Sequence, residues 1–122
     1  MINFFLIASG GALGAITRYI VYYYSIFFFP NFPIGTFLVN FTGSFIIGFL
    51  AGYLDNQLYN DNFIRFFIII GFLGSFTTFS MFSLEVIELI NNKKIFNALI
   101  YVILSFLLCI FGAFFGFFIN RI

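Results

Sequence analysis

Five hydroxyl side chains and two glycines fall within one short stretch of an otherwise apolar run: Gly71-Phe72-Leu73-Gly74-Ser75-Phe76-Thr77-Thr78-Phe79-Ser80-Met81-Phe82-Ser83. Glycine lowers helix propensity, and Ser and Thr compete for backbone hydrogen bonds. Non-helical backbone survives at membrane depth only where protein or a water-filled cavity surrounds it. The stretch therefore reads as an interrupted transmembrane helix, with the interruption as the functional site. Carbonyls released by such a break hold a cation by their dipoles. With no carboxylate near that point, the ion would be monovalent rather than Ca²⁺ or Mg²⁺.

Asn40 is the second chemical group. Its carboxamide can donate to an anion without a fixed charge, or bond across to a neighbouring helix, and its position in the sequence leaves both open. Phe79 and Phe82 share one helical face just past the break. Aromatic edges can meet an anion, although such rings also pack in the ordinary way. Thr77, Thr78, Ser80 and Ser83 either satisfy freed backbone groups or line a polar path, and Tyr101 and Ser105, one turn apart, extend it. Arg18 lies inside the first apolar stretch, where it either snorkels to the interface or supplies positive potential at a vestibule mouth. Glu85 is read as a vestibule or track residue in the last turns of its helix, within reach of water, and Glu88 as solvated. No nucleophile–base pair, phosphate loop or acid–base dyad is present, so the chain does not read as an enzyme. The absence of His and the single Cys109 argue against a His/Cys metal site and exclude an intramolecular disulfide.

These groups need membrane helices to position them. Of the 122 residues, 63% are hydrophobic and only 7% charged, too few for the surface of a soluble domain. A net charge of +1 leaves no basic face for nucleic acid. The expected architecture is all-α and integral to the membrane, one domain over residues 1–122 with spans at about 2–24, 34–54, 63–90 and 95–119. As continuous α-helix the third would measure roughly 42 Å against a hydrocarbon core of about 30 Å, and a break near Phe76 and Thr77 shortens it. Small or polar stripes mark protein-facing sides: Gly10, Gly11 and Gly14; then Thr36, Asn40, Gly43, Ser44, Gly48 and Gly52; then Gly112 and Gly116 below Tyr101 and Ser105. Residues 25–33 form a proline-containing connection, 55–62 a polar loop and 91–94 a tight turn. Arg65 and Arg121 fall on one side of the membrane, Lys93 and Lys94 on the other. Either short loops decide orientation weakly, or the chain inserts both ways up and pairs antiparallel, bringing two breaks together at mid-membrane.

Three motifs in order, Gly10-Gly11-Ala12-Leu13-Gly14-Ala15-Ile16-Thr17-Arg18-Tyr19, Gly35-Thr36-Phe37-Leu38-Val39-Asn40-Phe41-Thr42-Gly43-Ser44-Phe45 and Gly71 through Ser80, resemble the Fluc (CrcB) fluoride channel family over essentially the whole chain. The resemblance implies a passive, fluoride-selective channel that exports the ion from the cytoplasm across a bacterial plasma membrane. It implies an antiparallel, dual-topology homodimer enclosing two pores, with a heterodimer with a paralogue left open. It also implies a structural Na⁺ at the dimer axis, held by the backbone carbonyls of Gly74 and Thr77 from both copies. Carried over, Asn40, Phe79, Phe82, Ser80, Tyr101 and Ser105 become pore residues, and Arg18, Thr36, Thr78 and Glu85 vestibule or track residues. Met81 departs from the family pattern, which commonly has Thr there. The competing class is a proton-coupled small multidrug exporter, which needs an intramembrane carboxylate. Segment one offers none, and Glu85 reads as too near a helix end.

Overall fold

A computed structural model describes residues 1–54 and 60–119. Among them are four helices long and apolar enough to cross a membrane: α1 (Ile2–Phe28), α2 (Ile34–Leu54), α3 (Phe63–Asn91) and α4 (Ile95–Phe118). Asp55, at the start of the expected polar loop, and Arg121 of the charge comparison lie outside the described residues.

The first span runs one turn past its expected end at Tyr24. Ser25 Oγ donates to the Tyr22 carbonyl at 2.8 Å, and the Phe29 amide donates to the Ser25 carbonyl at 2.8 Å. The first residue without an amide proton is Pro30, so nothing stops the helix earlier. Phe27 and Phe28 thus belong to α1, and the connection shrinks to residues 29–33. The fourth span ends at Phe118, with Ile119 as its cap.

Helix α3 departs further from a regular rod. Its first part, Phe63–Leu73, is wound as a π-helix, followed by a turn of α-helix at Gly74–Phe76. We call these together α3a. Thr77 (φ −79°, ψ 156°) and Thr78 (φ −153°, ψ 120°) are extended, and helix resumes as α3b at Phe79–Asn91. The expected break is there, one residue beyond Phe76–Thr77. Because i→i+5 bonding puts more residues into each turn, the excess length of this span is absorbed by winding as well as by the break. Asp61 starts the element, its Oδ1 accepting from the amides of Phe63 (2.8 Å) and Ile64 (3.1 Å).

The glycine stripes set the helix pairs. α1 lies along α3a and α2 along α4. A Cβ on Gly10 or Gly14 would collide with the carbonyl oxygens of Phe67 and Phe72, and one on Gly48 or Gly116 with those of Ala113 and Phe45. Such backbone-to-backbone approach supplies the packing that association in lipid depends on. Among the described residues the buried apolar core is correspondingly thin: Val39, Leu73, Phe76, Leu89, Ala98 and Tyr101. Most large apolar side chains face outward.

Candidate functional site

The break is held open from α2. The Thr78 amide donates to Asn40 Oδ1 at 2.7 Å, and Asn40 Nδ2 donates back to the Thr78 carbonyl at 2.9 Å. One residue pair thereby exchanges two bonds, as neighbouring strands do. The Met81 amide donates to Thr78 Oγ1 at 3.2 Å, capping α3b. In an unbroken helix these two amides would serve the carbonyls of Gly74 and Thr77. Both are directed elsewhere, so those two carbonyls lose their helical donors. Gly74 and Thr77 line one open groove of about 680 Å³, and no carboxylate among the described residues lines it with them. Neutral oxygens without acidic side chains suit a small monovalent cation.

The same groove carries Asn40, Phe79, Phe82 and Ser105. The rings of Phe79 and Phe82 lie 5.4 Å apart at 45°. Among the described residues Ser105 Oγ is buried without a hydrogen-bond partner, a costly state for a hydroxyl unless something polar visits it. Ser44 and Cys109 also line the groove. Neither was singled out from the sequence as a site residue, although Cys109 follows Ser105 by one helical turn and so continues the Tyr101–Ser105 stripe.

A second cavity, of about 410 Å³, lies on the other side of the break and is lined by Arg18, Tyr22, Thr36, Thr78, Ser80 and Met81 among others. Thr78 borders both spaces, and its hydroxyl lies 3.2 Å from that of Ser80. Beyond Thr36 lies a buried polar cluster. Thr36 Oγ1 donates to Glu85 Oε1 and the Tyr101 hydroxyl donates to Glu85 Oε2, each at 2.7 Å. Glu85 is 6% exposed and borders a smaller open cavity of about 190 Å³ with Asn31, Glu88 and Lys94, whereas Glu88 itself is exposed. The helix turns its Glu85 side inward against α2 and α4.

The description "CrcB-like protein, Camphor Resistance (CrcB)" belongs to a family model that matches residues 5–117. The chain belongs to the CrcB family. A fluoride-specific ion channel of Hydrogenobaculum sp. is 43% identical over 93% of this chain and 97% of its own length. One from Agrobacterium fabrum is 39% identical over 99% and 98%, and one from Hahella chejuensis 40% over 95% and 92%. These relatives are channels rather than enzymes, and with its four apolar helices this CrcB-family chain is a multi-pass membrane protein.

Within the CrcB-family chain, the candidate residues fall into three connected groups. Asn40, Gly74, Thr77, Phe79, Phe82 and Ser105 share the groove, and Arg18, Thr36 and Ser80 share the cavity, with Thr78 in both. Glu85 and Tyr101 form the buried cluster with Thr36. Of the two roles open to Asn40, the helix-to-helix bond is the one made here, and it leaves one N–H unspent. Ser83 and Thr77 return their hydroxyls to the carbonyls of Phe79 and Leu73, at 2.9 Å each.

Proposed function

We propose that this chain forms a fluoride-selective channel that passively exports fluoride from the cytoplasm through the plasma membrane. The observation that carries the reading is the Thr77–Thr78 break, which opens on a groove holding hydroxyls, a carboxamide and an aromatic pair in a chain whose close relatives are fluoride-specific channels. Fluoride holds its water tightly, so a path must replace that water with hydrogen-bond donors and still release the ion. The cavity beside Arg18 attracts the anion, and Thr36, Thr78 and Ser80 offer hydroxyls there. Past the break, the free N–H of Asn40, the edges of Phe79 and Phe82, and the unpartnered Ser105 hydroxyl continue the route. None of the groups past the break is a fixed cation that would trap it.

The functional unit in this reading is an antiparallel homodimer with two pores, its orientation undecided by the sparse charges at the helix ends. The carbonyls of Gly74 and Thr77 from both copies would hold a Na⁺ on the axis, supplying a positive charge that ties the two breaks together. The freed acceptors and the lack of acid in the groove support that fit. The exporter alternative needs a carboxylate that exchanges protons. Glu85 lies toward the end of its helix, and both its oxygens are engaged by hydroxyls.

Reconstitution in liposomes with a fluoride electrode tests the reading. Expected are rapid fluoride release, negligible chloride release, no requirement for a proton gradient, and severe loss in Asn40→Asp and Phe82→Ile. Parent-like conduction in both variants refutes the path.

A further inference from the structure

Helix α3 is open at mid-span because a side chain of α2 stands in for part of its own backbone. We propose that Asn40 is a positioning residue for the cation cradle: by taking the Thr78 amide it keeps the Gly74 carbonyl free. The proposal rests on the Na⁺ reading above and names the residue that builds the site.

A backbone amide carries one proton. That of Thr78 points to Asn40 Oδ1 at 2.7 Å, whereas a continuous helix would aim it at Gly74. The carboxamide matches an extended peptide unit because it offers an acceptor and a donor in one plane. Thr78 is extended, and its carbonyl receives Asn40 Nδ2 at 2.9 Å. The seat for this exchange is prepared nearby on α2. A Cβ on Gly43, three residues on from Asn40, would collide with the Thr77 methyl group, so glycine there makes room for the break.

The Thr77 carbonyl is freed by a separate device, the Thr78 hydroxyl that accepts the Met81 amide at 3.2 Å. Two carbonyls thus have two independent guardians. Alanine at position 40 removes both halves of the exchange and lets the Thr78 amide return to Gly74. Aspartate keeps the acceptor and loses only the donor. Asn40→Asp should therefore retain the cradle while abolishing fluoride flux through its added negative charge. Flux alone does not separate these roles, but cation binding does.

The test uses the full chain in detergent micelles, with thermal unfolding followed as NaCl replaces choline chloride. The parent and Asn40→Asp are expected to be stabilised by Na⁺ with similar midpoints. Asn40→Ala should need about tenfold more Na⁺, or not respond, the loss of about 1.4 kcal/mol or more of binding. Thr78→Val should behave like Asn40→Ala, and Thr78→Ser, which keeps the hydroxyl, should restore the parent. In isotope-labelled parent protein, a through-bond coupling should link the Thr78 amide nitrogen to the Asn40 carboxamide carbon. A Na⁺-stabilised parent whose Asn40→Ala variant keeps the same midpoint overturns this proposal alone. A parent indifferent to Na⁺ overturns the Na⁺ reading and the cradle with it. Should Asn40→Ala not fold, absence of the coupling in the parent still refutes the role given to Asn40.

Discussion

Removing one oxygen from Tyr101 should cost more stability while Glu85 is present. Tyr101 is 0% exposed, and its ring contacts Phe32 and Phe82 at centroid distances of 5.5 and 5.1 Å, contacts that Phe would keep. What is lost in Tyr101→Phe is the 2.7 Å bond to Glu85 Oε2, while Thr36 continues to hold Oε1. Interhelical hydrogen bonds in bilayers average about 0.6 kcal/mol, with a maximum of about 1.7. The buried oxygen left without a donor places this case at the upper end of the membrane range, roughly 1.5 kcal/mol. In a Glu85→Leu background the hydroxyl keeps only Thr36 beside it, so the cost of the same substitution should fall to roughly 0.6 kcal/mol or less. Reversible unfolding in mixed micelles of the parent, both single variants and the double variant measures the cycle. Equal costs for Tyr101→Phe in both backgrounds, within about 0.3 kcal/mol, would show that the hydroxyl and the carboxyl do not act on each other and would refute the reasoning.

Two further substitutions probe packing and backbone. Gly48→Ala forces a methyl group against the Ala113 carbonyl, so α2 and α4 must separate, costing about 1–3 kcal/mol in thermal unfolding. Gly11→Ala, whose nearest neighbour is the movable Ser75 hydroxyl at 3.2 Å, serves as the mild control. Lys93 holds φ 59° in the turn before α4, so Lys93→Gly should raise the melting temperature by the equivalent of up to about 1 kcal/mol. A lowered temperature there would mean that the Lys93 charge outweighs the backbone gain.

How far each residue could be read depended on what its chemistry required of its neighbours. Gly10, Gly14, Gly48 and Gly116 declare contact faces by their spacing, and the structure puts backbone against each. The bonds of Glu85 to Thr36 and Tyr101 were not legible, because distance from a helix end says nothing about which way a side chain turns. Cys109 was passed over because it was weighed as a disulfide partner rather than as the next member of a polar stripe.

The chain by itself determined four apolar spans, their contact faces and the neighbourhood of the break, because lipid imposes those demands segment by segment. Only the tertiary structure decided that Asn40 reaches Thr78, that Glu85 bonds to Thr36 and Tyr101, and that the first part of α3a winds as a π-helix. Periodicity assigns a residue to a face of its own helix. Which group it meets depends on the relative height and rotation of two helices, and those are set by where glycine permits one backbone to rest on another.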